Sequence, residues 1–217
     1  MAADVEFFWD PVCPWAWITS RWVAEVARQR RLVVDWRFIS LRLLNEEKNY
    51  ATDFPAGYPE GHGSGLKLLR VAAAIREAEG PDRMDALYTQ FGADIHVRGR
   101  RSEIVDHFEE GFPEYLRSVG IEEKYLAAAN EESLDDYLRA EKEEALTRTG
   151  REVGTPIISF HRNGMTQSFF GPVMSEVPPR DRAVALWDAV WELATFPGFA
   201  EIKRSLRDRP QLATSLD

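Results

Sequence analysis

Apolar residues at the start of the chain follow first a strand pattern, then a helix pattern, then a second strand pattern. Val5–Trp9 reads V-E-F-F-W, a β-prone run that Asp10 and Pro11 interrupt. Over residues 14–29, large apolar side chains recur at steps of three and four, which predicts an amphipathic helix. Residues 32–39 predict a second strand. A parallel strand–helix–strand crossover is the natural interpretation.

The middle of the chain is predicted to be a loop followed by a block of helices. Residues 45–65 are rich in Gly, Pro, Asn, Asp and Glu and carry little periodicity, which predicts an ordered loop or a mobile lid. Residues 66–149 show helical periodicity in short segments with glycines near their ends. The predicted helices cover residues 66–78, 82–91, 102–110, 114–119, 122–129 and 134–149.

Strand signals return after the helical block. Residues 156–161 and 166–170 are predicted as two strands of a hairpin, because the Asn-Gly pair at 163–164 is a strong turn signal. The apolar stripe within residues 184–194 predicts a helix, and residues 199–206 predict a short terminal one. The order β-α-β, helical block, β-β-α predicts one α/β sheet assembled from both ends of the chain.

Composition and charge narrow the class of protein. The 217 residues are 44% hydrophobic and carry a net charge of −9, an acidic balance that gives no support for nucleic-acid binding. No apolar run approaches the roughly 20 residues that a membrane helix needs. The first residues show no signal-peptide pattern, so we expect a cytoplasmic location and no membrane partner.

Cys13 is the single cysteine, which excludes an intramolecular disulfide and a cysteine-rich zinc site. It lies between the first predicted strand and helix, where helix N–H groups favour a thiolate over a thiol. The plainer alternative is a small buried hydrophobic residue. Turn residues surround Cys13, and strand–Cys-Pro–helix is the place of a thioredoxin-type redox motif, so we favour a reactive thiol of lowered pKa.

A second motif, V-G-T-P, places Pro156 at the start of a predicted strand. That strand end abuts the first helix in the predicted sheet. Cis X–Pro bonds are a minority of about 5–6%, so the dipeptide alone predicts a trans bond. Together with Cys13 and Pro14, the motif predicts a cis Thr155–Pro156 bond that leaves the Thr155 backbone free to pair with an extended thiol substrate.

These motifs give the chain a family resemblance. It is similar to the DsbA-like thioredoxin-fold oxidoreductases with a helical insertion, and more closely to the actinobacterial mycothiol-dependent reductases, often called nitroreductases. The matching stretches, in order, are F-W-D-P-V-C-P-W-A-W-I-T-S-R-W, S-L-R-L-L-N-E, L-Y-T-Q-F-G-A-D-I-H, V-G-T-P, F-F-G-P-V and L-W-D. The resemblance implies a thioredoxin-like domain over residues 1–45 and 150–217, interrupted by a loop and an all-helical domain over 46–149.

The resemblance also implies roles for individual residues. Cys13 is the expected nucleophile. The motif residues Pro14, Trp15 and Ala16 stabilise its thiolate, with Trp15 partly exposed as an apolar wall for an aromatic substrate. Thr155 and Pro156 are expected to align the small thiol.

Three further residues carry two interpretations each. By resemblance, Asn45 and Tyr58 line the substrate pocket. The alternative for Asn45 is a helix cap or turn residue, and the alternative for Tyr58 is an aromatic residue on the surface. His96 would aid proton transfer or position substrate, and its alternative is a hydrogen-bonded structural histidine.

One position departs from the family pattern. The family motif is Cys-Pro-Trp-Cys, whereas the fourth position here is Ala16, either a natural replacement or an engineered one. The chain therefore lacks the thiol that would resolve a mixed disulfide. The function that remains is a monothiol reductase of mixed disulfides or nitroaromatic compounds, with mycothiol or another small thiol as co-substrate. The alternatives are thiol activation of the kappa-type glutathione transferase or isomerase kind, and a non-catalytic thiol-binding variant.

No tightly bound cofactor is predicted. The histidines show no metal-ligand spacing with each other or with the cysteine, and no G-x-G-x-x-G or P-loop pattern is present. The expected partners are the small thiol and its disulfide or small-molecule substrate. The oligomeric state stays open, with a homodimer as one alternative.

Overall fold

The computed structural model describes residues 3–162, 164–213 and 215–216. Its strands are β1 (Val5–Trp9), β2 (Val34–Phe38), β3 (Ile157–Arg162) and β4 (Met165–Phe170). The α-helices of these residues are α1 (Pro14–Arg30), α2 (Leu41–Leu44), α3 (Tyr50–Asp53), α4 (Tyr58–Glu79), α5 (Met84–His96), α6 (Phe108–Ser118), α7 (Asp135–Thr149) and α8 (Arg180–Thr195). A π-helical turn lies at Ser102–Asp106, and 3₁₀ turns lie at Pro81–Arg83, Glu123–Tyr125, Ala127–Asn130 and Glu132–Leu134.

One mixed sheet with strand order β2-β1-β3-β4 forms the centre of the fold. β1 pairs with β2 in parallel, so that Phe7 lies opposite Trp36. β3 pairs antiparallel with both β1 and β4. The predicted crossover and the predicted hairpin are both confirmed, while Asn163 of the hairpin turn lies outside the described residues.

The central strand β1 is buried on both faces. Trp9 stacks on Tyr88 of α5 on one face, with ring centroids 4.2 Å apart. Phe8 points to the opposite face and clusters there with Ala145 of α7. A strand covered on both faces is apolar along its length rather than alternating, which explains the V-E-F-F-W run.

The one charged residue of β1, Glu6, is buried and held by two arginines and a histidine. Arg37 of β2 donates to its carboxylate at 2.5 Å, His161 of β3 lies 2.8 Å away, and Arg148 of α7 donates to the same oxygen as His161. Burial works in the opposite direction, but the hydrogen bonds of Arg148 and His161 and the charges of the two arginines hold the pKa of Glu6 below its usual value. This network attaches α7 to the sheet.

The predicted loop is wrong over residues 50–53, which form α3, and over residues 58–65, because α4 begins at Tyr58. Three glycines lower the intrinsic helix propensity of this segment, which hides the helix from a reading of the sequence. Gly65 is there for packing, since a Cβ would lie 2.9 Å from both Asp10 Oδ1 and Val12 Cγ2. The first turns of α4 therefore pack directly against the segment that follows β1.

Helix ends in the middle of the chain also differ from prediction. A single helix, α6, replaces the last three residues of the predicted helix 102–110 and all but the last residue of the predicted helix 114–119, although it contains Gly111 and Pro113. Its buried residues Phe108, Phe112 and Tyr115 form one stripe, and burial of that stripe outweighs the local helix breakers. Only 3₁₀ turns occupy the predicted helix 122–129.

The sheet and the helical region share one hydrophobic core. A continuous cluster of buried side chains runs from Phe7 of β1 through Leu69 of α4 to Leu116 of α6. Gly92 of α5 allows α5 to approach α1 closely within it, because a Cβ there would lie 2.1 Å from the ring of Trp17. The division into two domains near residues 45 and 150 stays a prediction.

The C-terminal segment does not form the predicted helix over residues 199–206. Ile202 is 75% exposed and Leu206 is 90% exposed, so a short helix there would have no surface to pack against. Further on, Ser215 is buried and accepts a hydrogen bond from Trp17 Nε1 at 2.8 Å. Among the helices of the described residues, none combines the length and the apolar character needed to cross a membrane.

A buried ion pair between α4 and α7 gives a test of how the helical region is held. Arg70 donates to both carboxylate oxygens of Asp135 at 2.7 and 2.8 Å, and both side chains are about nine-tenths buried. We expect Arg70→Ala to lower the free energy of unfolding by roughly 3 kcal/mol, because it leaves a carboxylate buried without a partner. Urea denaturation measures this.

The matched control is Arg83→Ala, which removes the exposed pair with Glu79 in the same region. It is expected to cost at most about 0.5 kcal/mol. If Arg70→Ala and Arg83→Ala lowered the free energy of unfolding equally, burial would not set the strength of the α4–α7 ion pair.

Candidate active site

Cys13 lies at the junction of β1 and α1, where it is the N-cap residue of the helix. Its backbone is extended, with φ −80° and ψ 110°, and Pro14 occupies the first helical position. Ala16 N donates a hydrogen bond to Cys13 Sγ at 3.4 Å, as N-cap side chains accept bonds from the first turn. Proline is tolerated beside it because its missing N–H has no helical partner there. The sequence thus sets the sulfur at the N-terminal end of the helix.

The V-G-T-P motif, which precedes β3, lies in contact with this cysteine. Cys13 Sγ donates to the carbonyl oxygen of Thr155 at 3.7 Å, although 142 positions separate the two residues. The Thr155–Pro156 peptide bond is cis, which confirms that prediction. Thr155 Oγ1 in turn donates to Phe8 O at 3.4 Å. The cysteine, the proline and the first turn of α1 therefore form one contiguous group.

The expectation of a lowered pKa for Cys13 is wrong for this conformation. Only 4% of the residue is exposed, and burial raises the pKa of its thiol to about 12. N–H groups of Ala16 and Trp15 act in the opposite direction, while the charge of Asp10 adds to the rise. The helix N-terminus does favour the thiolate. However, the loss of hydration destabilises the thiolate more than the hydrogen bonds from those N–H groups stabilise it.

The neighbours of Cys13 divide between core and surface. Trp15 is partly exposed, as predicted, and Trp17 and Trp22 are fully buried core residues. Ala16 is also fully buried. The position that holds the second cysteine in the family motif is thus inside the protein, one helical turn after Cys13.

The three remaining predicted residues have different surroundings. Asn45 caps the end of α2 and donates from Nδ2 to Leu41 O at 2.8 Å. This is the helix-cap role given above as the alternative to pocket lining. Tyr58 is 45% exposed at the start of α4, with its ring 5.9 Å from that of Phe54. No hydrogen bond among the described residues joins either side chain to Cys13.

His96 does reach the active-site turn. Its Nε2 lies 2.9 Å from the carbonyl oxygen of Pro11, and its ring stacks on Trp17 with centroids 6.0 Å apart. Burial lowers its pKa to about 4, so the ring is neutral at pH 7 and Nε2–H donates to the carbonyl. The geometry fits a residue that shapes the turn carrying Cys13.

The sequence reasoning missed two polar features of this region, a buried carboxylate and a tyrosine–histidine pair. Asp10 is fully buried and accepts hydrogen bonds from the N–H groups of Val12 at 2.9 Å and Leu41 at 2.7 Å. Tyr50 OH lies 3.0 Å from Nδ1 of buried His62. The signal for Asp10 was available: a carboxylate three positions before the cysteine, at the end of a buried strand. Nothing in the sequence pairs Tyr50 with His62.

Both buried histidines make fold stability depend on pH. Burial lowers the pKa of His62, like that of His96, to about 4. The unfolded chain therefore binds more protons than the folded chain between pH 4 and about 6.5, and stability falls as pH drops through that window. The expected loss is at most about 1.4 kcal/mol per pH unit for each histidine.

Urea denaturation of the wild type, His62→Gln and His96→Gln between pH 4.5 and 7 measures the effect as a difference, so that other titrating groups cancel. Each substitution should flatten the pH dependence. Parallel curves for all three proteins would contradict neutral, buried imidazoles.

No group of three or more His, Cys, Asp or Glu side chains suited to a metal ion occurs among the described residues. The site is therefore described by its thiol, its backbone donors and its buried carboxylate.

Comparison with known proteins identifies the family. The model of the Rv2466c-like family, described as mycothiol-dependent nitroreductase Rv2466c, matches residues 12–204. The chain belongs to this family. The Mycobacterium tuberculosis protein Rv2286c is 28% identical over 201 residues, which cover 92% of this chain and 81% of that protein.

Solved structures show that this member of the Rv2466c-like family has the fold of DsbA-like oxidoreductases. The cytosolic disulfide reductase DsbM of Pseudomonas aeruginosa, also solved with GSH, superposes with a TM-score of 0.55 at 18% identity, covering 88% of this chain and 99% of DsbM. The probable DsbA oxidoreductase SCO1869 of Streptomyces coelicolor gives 0.53 at 15% identity, covering 94% and 100%. A 2-hydroxychromene-2-carboxylate isomerase gives 0.55 at 12% identity, covering 87% and 95%. These identities are too low to carry more than the fold.

Proposed function

We propose that this member of the family is a mycothiol-dependent reductase that works with a single protein thiol, that of Cys13. One observation carries the proposal: Cys13 Sγ lies at the N-terminus of α1 and 3.7 Å from the Thr155 carbonyl oxygen, with Ala16 in place of a second thiol. Membership of a mycothiol-dependent family supports mycothiol as the small thiol. The GSH-bound form of DsbM supports a small-thiol site on this fold.

The proposed reaction has two exchange steps. The Cys13 thiolate attacks one sulfur of a disulfide R–S–S–R′, forms Cys13–S–S–R and releases R′–S⁻, which takes up a proton. Mycothiol, as its thiolate, then attacks the Cys13 sulfur–sulfur bond, restores Cys13 and leaves with R as a new disulfide. For a nitroaromatic acceptor, two-electron reduction to the nitroso compound consumes two thiols and gives one disulfide and one water.

Burial of Cys13 requires the site to open before either step. Trp15 is the partly exposed residue next to the sulfur, and we propose that it forms the apolar wall against which an acceptor binds. Asn45, Tyr58 and His96 complete the proposed substrate and thiol site through the α2–α4 segment and the active-site turn. Because the cycle depends on a reduced small-thiol pool, a cytoplasmic location is part of the proposal.

Intact-protein mass spectrometry after incubation with oxidised mycothiol tests the covalent step. We expect one mycothiol adduct, located on Cys13 by peptide mapping and removed by reduced mycothiol. Turnover of a mixed disulfide without any adduct would favour non-covalent activation of a bound thiol, as in kappa-type glutathione transferases. An adduct without turnover would make the chain a thiol-binding variant.

A further inference from the structure

A basic side chain lies next to the active-site turn, residues 10–13. Leu41, the first residue of α2, donates from its backbone N–H to the Asp10 carboxylate of that turn at 2.7 Å. The following residue of α2 is Arg42, whose side chain is half-buried. The short helix α2 therefore holds a guanidinium beside the segment that presents Cys13.

Arg42 forms no ion pair among the described residues, although the chain contains 36 acidic residues against 27 lysines and arginines. Glu46, the nearest carboxylate in the sequence, pairs instead with two cations of α7. The Arg42 guanidinium lies 4.3 Å from the ring centroid of Tyr50 and also interacts with the Tyr50 hydroxyl. These contacts leave most of its five N–H groups for a ligand.

Aromatic rings extend from Arg42 toward solvent. The ring of Tyr50 in α3 stacks on that of Phe54, with centroids 4.6 Å apart and planes 21° from parallel. Phe54 in turn stacks on the exposed Tyr58 at the start of α4, with centroids 5.9 Å apart. These three residues form a ring ladder, with the guanidinium at its α2 end.

The ring ladder is joined to the active-site turn through α4. Tyr50 OH lies 3.0 Å from Nδ1 of His62. Three residues further along α4, and so on a neighbouring part of the same helix face, Gly65 packs against the active-site turn. Burial lowers the pKa of His62 to about 4, and the charge of Arg42 acts in the same direction. The imidazole is therefore neutral at pH 7, and Arg42 is the charged group of this contact chain.

We propose that Arg42 and the ring ladder bind the acceptor, and that they select aromatic acceptors carrying a carboxylate or another anionic group. This role rests on the proposed function and names its substrate class. A planar guanidinium recognises a carboxylate through two parallel hydrogen bonds. Aromatic rings of the acceptor stack on those of the ladder. Because α2 contacts the active-site turn, an acceptor held at Arg42 is held next to that turn.

The rest of the chain repels such an acceptor, which makes the local contact measurable. The net charge of −9 slows the approach of any anion, and added salt weakens that repulsion. A guanidinium at the binding site attracts the anion, and added salt weakens that attraction. The direction in which salt changes the rate therefore shows which of the two effects dominates.

Stopped-flow reaction of Cys13 with two aromatic disulfides tests the proposal. Dithiobis(nitrobenzoate) carries two carboxylates, whereas dithiodipyridine carries none. With either reagent, the Cys13 thiolate attacks one sulfur, forms a mixed disulfide and releases one coloured aromatic thiol. In the wild type, the rate with the dianion should fall as salt rises.

In Arg42→Gln, the ratio of the dianion rate to the neutral-reagent rate should drop roughly 10-fold, and the dianion rate should rise with salt. An unchanged ratio in Arg42→Gln would overturn the proposal and leave Arg42 as a structural partner of Tyr50. Arg42→Lys keeps the charge without the planar fork, so it should restore the wild-type salt dependence and only part of the ratio.

The matched control is Lys124→Gln in the helical region. It also removes a cation that lies over a tyrosine ring, with Lys124 Nζ 4.8 Å from the ring centroid of Tyr125. The ratio should stay at the wild-type value, because only the net charge changes. An equal drop in Lys124→Gln and Arg42→Gln would attribute the effect to net charge and contradict a site at Arg42.

This single-turnover reaction needs no mycothiol. A ratio that depends on Arg42 in a protein without reductase turnover would support the anion site and refute the proposed function. Turnover with a ratio independent of Arg42 would refute the anion site alone.

Discussion

Cys13→Ser is expected to abolish thiol–disulfide exchange, lowering kcat/KM for a mixed disulfide at least about 10³-fold. A serine hydroxyl forms no sulfur–sulfur bond, so neither exchange step can proceed. Serine is a good N-cap residue and nearly the size of cysteine, so α1 should begin at the same place and the fold should persist. Steady-state turnover with mycothiol measures the loss, and circular dichroism with urea denaturation confirms the folded state.

The matched control for this variant is Ala16→Ser, which adds a hydroxyl one helical turn away and leaves Cys13 intact. It should retain turnover even if burial of the hydroxyl costs some stability. Full mycothiol-dependent activity in Cys13→Ser would refute the covalent route. The reaction would then have to occur between bound thiol and acceptor, without a bond to the protein.

The structure shows the Cys13 thiol buried, with its pKa raised by that burial. The same N–H groups that would stabilise a thiolate point at a sulfur that is protonated and belongs to a residue only 4% exposed. An incoming disulfide needs access to that sulfur, and access brings either water or the polar groups of the substrate. The opening that the proposed cycle requires would therefore favour the thiolate in the same event that admits the acceptor. A thiol kept protonated until then is protected from unproductive oxidation.

The fold was largely predictable from sequence because local and tertiary signals agree. The apolar run of β1, the helical stripe of α1 and the Asn-Gly turn each predict the element that forms. Predictions failed where tertiary contacts override local preference. Gly65 in the first turns of α4 allows close packing against Val12, and the 199–206 segment has helical spacing but no surface to bury its apolar side chains.

The chemistry of the site was less predictable than its location. Residue order placed Cys13 at a helix N-terminus and Pro156 beside it, since both follow from chain topology. The pKa of Cys13 depends instead on how much water reaches the sulfur, which is a property of the packed structure. Asp10 was missed for a related reason: a carboxylate next to a proline suggests a turn, and only the fold shows that this turn is buried.

In the proposed mechanism, the absence of a second thiol sets the kinetics of this family member. An adduct on Cys13 would be released only when a thiol from solution reaches a buried sulfur–sulfur bond. A cysteine at position 16 would instead attack from within the first turn of α1, whose backbone N–H at that position lies 3.4 Å from Cys13 Sγ. A tethered, oriented group competes with a millimolar reagent at a large advantage, because its approach requires no second binding event.

We therefore expect Ala16→Cys to release a preformed mycothiol or model-thiol adduct from Cys13 roughly 10³-fold faster than the wild type does in about 1 mM external thiol. Release leaves a disulfide between Cys13 and the thiol introduced at position 16, seen by mass as the loss of two hydrogens. Stopped-flow or quenched-flow mass spectrometry of the isolated adduct gives both rates. The control is Ala16→Ser, whose side chain is buried at the same position but has no thiol, and it should release the adduct at the wild-type rate.

Equal rates in Ala16→Cys and Ala16→Ser would mean that a thiol at this position cannot reach the adduct. The replacement of the second cysteine by alanine would then have no kinetic consequence, and resolution by an external thiol would be fixed by the shape of the site rather than by the missing sulfur.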